Sequence, residues 1–224
     1  MNIFGAYCSG ACILLSALNA VAQDDPAARL NDATVALIAD CPSGQTLSTG
    51  VIVAQAHGIV TVLTVSHTAS CRNIHVRFYD GEVEPAFGVS HIQSSGPPER
   101  YDIGIVHASA VHTHAVARIS DTSYDRGQHL TVVGHGDGQL YAHADAKVID
   151  PNPITLILAC QNCRRGDSGA GVFNDSGDLV GIVYGEIPLN VRVTTPQHDA
   201  HTIIMTCWLS NTLERIKTFL AAQR

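Results

Sequence analysis

The sequence predicts an all-β protein built from two similar units, and three observations point there. Aromatic residues make up only 5% of the chain, whereas Val, Ile, Ala, Gly and Thr are plentiful, a balance that suits many short strands joined by turns. Apolar runs of strand length recur with turn residues between them. These runs fall into two series, separated by the polar stretch SDTSYDRGQ from Ser120 to Gln128, which reads as a linker.

The first series comprises Thr34 to Ala39, Gly50 to Ala54, Ile59 to Val65, Ile74 to Phe78 and Ile103 to His107, a unit spanning about 33–119. The second comprises Leu130 to Val133, Ala146 to Ile149, Ile154 to Ala159, Gly171 to Phe173, Leu179 to Tyr184 and Thr202 to Met205, spanning about 128–206. Asp80 with Gly81, and Asn174 to Gly177, are hairpin turns by composition. Leu209, Leu213, Ile216 and Leu220 then line one helical face, so a short C-terminal helix is expected over about 208–222. Asn211, three places before Glu214, supplies its start signal.

With 224 residues and 46% hydrophobic content the chain can bury one sizeable core or two small ones. A formal net charge of −7 and the lack of any long Lys/Arg run exclude nucleic acid and anionic lipid as partners. Residues 1–22 read as an export signal: an apolar stretch from Ala11 to Leu18, then Ala20, Val21 and Ala22, with cleavage after Ala22. That stretch is shorter than the ~20 residues a membrane span needs, so residues 23–224 are expected off the membrane, secreted or periplasmic. No Lys or Arg precedes it, which departs from the usual signal pattern. Of seven cysteines, the mature chain keeps Cys41, Cys71, Cys160, Cys163 and Cys207, an odd number that suggests two bridges and one spare thiol. Cys160 and Cys163 form a CxxC with no second pair or local His to complete a zinc site, and a disulfide role fits better. The His112/His114 and His198/His201 pairs raise the contrasting expectation of a secreted metal-binding protein.

Three segments carry chemistry. CRRGDSGAGVF, from Cys163 to Phe173, places Ser168 at a glycine-rich turn where the backbone amides of Gly166 and Ser168 can face one oxygen. VLTVSHTASC, from Val62 to Cys71, runs a buried strand into a small-residue turn with His67, as a general base needs a rigid support. RYDIGIV, from Arg100 to Val106, opens an apolar strand with Asp102, a carboxylate able to orient an imidazole.

These segments resemble the signature blocks of the chymotrypsin/trypsin family of serine proteases: VLTVSHTASC is similar to "LTAAHC", YDIGIV to "DIAL" and RRGDSGAGV to "GDSGGP". Their order, His then Asp then Ser, is also that family's. STGVIV from Ser48, VVGHG from Val132 and GIVYG from Gly181 extend the likeness from about Thr34 to the C-terminal helix. The resemblance implies two six-stranded antiparallel β-barrels with a site in the cleft between them. It implies a secreted serine endopeptidase acting on protein or peptide substrates, a monomer without cofactor or metal. Ser168 would be the nucleophile, His67 the general base and acid, Asp102 its orienting group, and the amides of Gly166 and Ser168 the oxyanion hole. A non-catalytic, protease-like binding module is the alternative.

The resemblance also places the base of the primary pocket six residues before the nucleophile, at Asn162, with Tyr184 and Gly185 as its opposite wall and Glu186 as a possible source of charge. A bridge between Cys41 and Cys71 would close the loop carrying His67, and Cys163 or Cys160 would pair with Cys207. Asp167 would be a buried, paired structural carboxylate. No "IVGG" sequence precedes the first strand, so activity without zymogen cleavage is expected, with an arginine or a hydrogen-bond network satisfying Asp167.

Overall fold

The computed structural model describes residues 25–93, 102–122, 124–152, 155–195 and 198–223, with the backbone alone for 92–93, 189–195 and 198–207; the expected export signal lies outside the described residues. Strands β1 (Thr34–Cys41), β2 (Gly44–Ala56), β3 (Ile59–Thr64), β4 (Arg72–Arg77), β5 (Val83–Gln93) and β6 (Asp102–Ser109) close into one barrel in the order β1-β2-β3-β6-β5-β4. Strands β7 (His129–Gly134), β8 (Ala142–Pro151), β9 (Thr155–Cys160), β10 (Gly171–Phe173), β11 (Leu179–Thr195) and β12 (His198–Thr212) close a second in the order β10-β11-β12-β9-β8-β7. Neighbouring strands pair antiparallel throughout.

Alternation along the strands explains why the chain closes this way, since residues two apart share a face. Val35, Leu37 and Ala39 of β1 point into the first barrel with Ile52, Val62, Val76 and Val106. Val132, Val148, Leu156, Leu158 and Val172 fill the second. A third apolar cluster lies between the barrels and joins Val51, Leu63, Ile103 and Ile105 to Val133, Phe173, Leu179 and Ile182. Leu63, Phe173 and Ile182 are fully buried there, each contributing about 1.5–3 kcal/mol of transfer free energy.

Strand β5 escaped the sequence reading because its pattern is inverted. Val83, Phe87 and Val89 face solvent, while its inward positions are the small or polar Glu84, Ala86, Gly88 and Ser90. The turns at Gly81 and at Asn174–Gly177 form as expected, with Asn174 Oδ1 accepting from the amides of Ser176 and Asp178.

Three α-helices accompany the barrels among the described residues. α1 (Pro26–Asp32) is capped by Asp25, whose side chain accepts from Ala27 N at 3.0 Å, and has Pro26 in its first turn. The Asp32 carboxylate at its end accepts from Ala115 N at 2.7 Å and pairs with His114 Nδ1 at 2.9 Å, fastening the segment between the barrels. α2 (Ser66–Ala69) carries His67. α3 (Leu213–Ala221) buries Leu213, Ile216 and Phe219, and Ile216 and Phe219 join the cluster between the barrels. It begins later than the sequence suggested: Leu209 and Asn211 belong to β12, paired with Gly185 and Ile182 of β11. Asn211 caps nothing, because its amide is used elsewhere, as described below.

Cys41 bridges Cys71, the end of β1 to the residue that follows α2 and Ser70. The second bridge corrects the sequence expectation, for Cys163 pairs with Cys160 and not with Cys207. The turn after β9 folds Cys163 back onto Cys160 with 5.5 Å between their Cα atoms, while Cys207 sits on β12 opposite Ala159. Replacing Cys41 and Cys71 together by Ala should lower the unfolding free energy by about 2–4 kcal/mol in equilibrium denaturation. An unchanged midpoint would show that the β1–α2 connection is held by packing alone.

Candidate active site

The buried run Val62, Leu63 and Thr64 carries β3 into α2, so that His67 emerges on one helical turn with 47% of its side chain exposed. α2 lies hard against β6 because Gly104 offers no side chain there: a Cβ would stand 2.6 Å from Ala69 Cβ and 3.1 Å from Val65 O. This close approach puts Asp102, the first residue of β6, beside His67. Its Oδ1 accepts from His67 N at 3.0 Å and its Oδ2 meets Nδ1 at 2.6 Å. An ionised carboxylate only accepts, so Nδ1 carries the proton in that pair and Nε2 presents a lone pair. Asn211 of β12 donates from Nδ2 to Asp102 O at 2.9 Å, so the second barrel also holds the aspartate in place.

Ser168 lies on the loop between β9 and β10, and backbone bonds set its course. Asp137 N donates to Arg165 O at 2.6 Å, and Ala170 N to Asp167 O at 2.8 Å. In a trans peptide the carbonyl and the following N–H point opposite ways, so these two bonds turn the N–H groups of Gly166 and Ser168 away from the loop's interior. Neither amide meets an acceptor among the described residues. Thr49 N of the first barrel donates to Ser168 O at 2.8 Å, and Gly169 N to Val183 O at 2.8 Å. Among the described residues no group hydrogen-bonds the Ser168 hydroxyl, which is free to turn.

Asp167 is buried, 4% exposed, beneath this loop. Its Oδ2 accepts from Arg164 N at 2.7 Å, and a Cβ on Gly134 or Gly136 would run into its carboxylate. Burial raises its pKa, and the amides of Arg164, Gly136 and His135 oppose that rise by stabilising the charged form. Backbone amides, Arg164 N foremost, thus offset part of the burial cost of Asp167. The Arg164 guanidinium turns outward to Gln161 O and Cys163 O, both at 2.8 Å.

His67, Gly166 and Ser168 line one cleft of about 680 Å³, together with Ser48, His135 and Arg165. Asn162, Tyr184 and Gly185 are not among its lining residues. Asn162 opens onto a neighbouring cavity of about 940 Å³ with Glu186, Trp208 and Arg164, and Arg165 borders both spaces. The Tyr184 hydroxyl bonds Thr155 Oγ1 at 3.0 Å, and a Cβ on Gly185 would meet open space. His112 and His114 do not come together: His114 is buried, stacked on Phe78 and paired with Asp32, while His112 lies near Asp80 and Glu82, with ligand atoms within 4.8 Å of one another. The side chains of His198 and His201 lie outside the described residues. Sequence reasoning missed Asn211, misread as a helix start, and Thr49 and His135, which lay within the strand-like STGVIV and VVGHG segments.

The family model for the trypsin-like peptidase domain matches residues 48–182. No curated protein matches the chain by sequence. Among solved structures, the serine endoprotease from Yersinia pestis superposes with a TM-score of 0.62 at 17% identity, over 88% of this chain and 63% of that one. This chain thus spans less than two thirds of the Yersinia chain. The active form of the Rv3671c protease from M. tuberculosis superposes with a TM-score of 0.61 at 17% identity, over 88% of this chain and 83% of that one. The inactive form of Rv3671c gives 0.64 at 16% identity, over 88% and 91%. These structural likenesses carry the two-barrel fold, and the family match covers all three segments that sequence reading singled out. The chain belongs to the trypsin-like peptidase family.

Proposed function

We propose that this protease is a serine endopeptidase that cleaves peptide bonds through an acyl-enzyme on Ser168. The observation that carries the reading is that His67, held by Asp102, borders the same cleft as Ser168, whose loop carries two unbonded amides. In this reading the Ser168 hydroxyl attacks the scissile carbonyl while its proton passes to His67 Nε2. The amides of Gly166 and Ser168 stabilise the oxyanion, and Asp102 stabilises the imidazolium. His67 then returns the proton to the departing amine as the C–N bond breaks, and water releases the acyl group by the same steps in reverse. Catalytic hydrogen bonds tighten on substrate binding, which accords with a Ser168 hydroxyl free to turn.

The amide cradle around Asp167 supports activity without zymogen cleavage, since this carboxylate needs no newly released amino terminus as partner. Two disulfides suit the oxidising surroundings of a secreted or periplasmic monomer. No helix among the described residues is long and apolar enough to cross a membrane.

A fluorophosphonate should label the protein on Ser168, as located by mass spectrometry of the labelled peptide, and absence of label would overturn the reading in favour of a binding module. On a mixed peptide library, Ser168→Ala should lower kcat by a factor on the order of a million. Asp102→Asn should lower it on the order of ten-thousandfold while KM holds, because the wrong tautomer faces the serine.

A further inference from the structure

A buried polar chain runs from the first barrel to the Gly166 carbonyl, one peptide beyond the proposed oxyanion amide, and lies outside the triad. Thr49 Oγ1 donates to Gly166 O at 3.0 Å and also meets His135 Nδ1 at 3.1 Å. Thr49 and His135 are both 0% exposed, and they stand 86 residues apart in the chain. A hydroxyl has one proton, and a carbonyl can only accept, so the Thr49 proton goes to Gly166 O. The hydroxyl oxygen must then accept from His135, which assigns the imidazole proton to Nδ1. Burial, then the charge of Arg77, lowers the His135 pKa to about 4, so the ring is neutral at pH 7. Its Nε2 has no partner among the described residues, and Tyr141 packs edge-on at 4.8 Å.

Gly166 needs such a hold. Its φ of +104° is open to glycine and strained for other residues, and a glycine peptide flips easily. If the Arg165–Gly166 peptide rotated, the Arg165 carbonyl would replace the Gly166 N–H at the cleft and no oxyanion could bind there. Asp137 N to Arg165 O holds that peptide directly, and Thr49 Oγ1 to Gly166 O fixes the next peptide, so that the glycine between them cannot take up the turn. We infer that Thr49 and His135 are positioning residues that hold the Gly166 amide in its oxyanion-binding orientation, with the imidazole aiming the hydroxyl and the hydroxyl clamping the carbonyl. The inference rests on the serine-peptidase reading.

The test compares inactivation of the full chain by a fluorophosphonate, resolving reversible affinity (KI) from the bonding step (kinact), with thermal melting as the folding check. Thr49→Val should lower kinact about ten- to a hundredfold with KI unchanged, since it removes the clamp and leaves the cleft's shape. Thr49→Ser, which keeps the hydroxyl, should restore kinact. His135→Phe should lower kinact, and His135→Asn, whose amide can donate from the place of Nδ1, should recover part of the loss. Wild-type kinact in folded Thr49→Val, or equal losses in the Ser and Val variants, would overturn the inference. Should Thr49→Val fail to fold, the His135 pair decides, and equal kinact in its Phe and Asn variants overturns it. Wild-type protein inert to the probe would overturn both readings, whereas reactive wild type with an unaffected Thr49→Val overturns the positioning role alone.

Discussion

The seam between the barrels depends on one residue whose every hydrogen-bonding group is engaged. Thr49 N donates to Ser168 O, Thr49 O accepts from Thr64 Oγ1 at 2.7 Å, and Thr49 Oγ1 links Gly166 O to His135. Around this seam lies the apolar cluster of Leu63, Val133, Phe173 and Ile182, where an unmet polar group is costly. Apolar burial brings the two barrels together, and it has little directional preference. The hydrogen bonds of Thr49 select one register of docking, and that register decides where the Ser168 loop stands relative to α2.

The seam is stitched in both directions. Thr49 reaches from the first barrel to hold the loop of the second, and Asn211 reaches from the second to hold Asp102 of the first. His67 and Asp102 sit on neighbouring elements of one barrel, and Ser168 on the other, so the placing of the barrels sets where His67 and Ser168 stand along the cleft. Side chains that cross the interface therefore limit relative movement of the barrels at the cleft.

Asp167 shows how a buried carboxylate can organise a loop without a cation. Desolvation penalises its charge, and the amides of residues 164, 135 and 136 offset part of that penalty. The cost appears in sequence as the glycines at 134 and 136, where any Cβ would collide with the carboxylate. The same loop closes on itself through the Cys160–Cys163 bridge, which anchors its start to the end of β9.

Much of this was legible in the chain itself. Alternating apolar residues and the turn chemistry at Gly81 and Asn174–Gly177 follow from local rules of steric preference and burial, which act over a few residues, while the segments around His67, Asp102 and Ser168 stood out through their resemblance to the family's signature blocks. Strand β5 was not legible, because Phe87 and Val89 face outward and a barrel wall can be completed by Glu84 and Gly88. The role of Asn211 was hidden for a related reason: an asparagine before a helix reads as a cap until a strand carries it across to Asp102. The pairing of Cys163 with Cys160, and the chain of bonds from Thr49 to His135 and Gly166, depend on distances between residues that only folding brings together. Sequence alone determined which side chains were available and how each stretch would run; tertiary structure decided which partners they met, because hydrogen bonds and disulfides are settled by separation in space, whatever the separation along the chain.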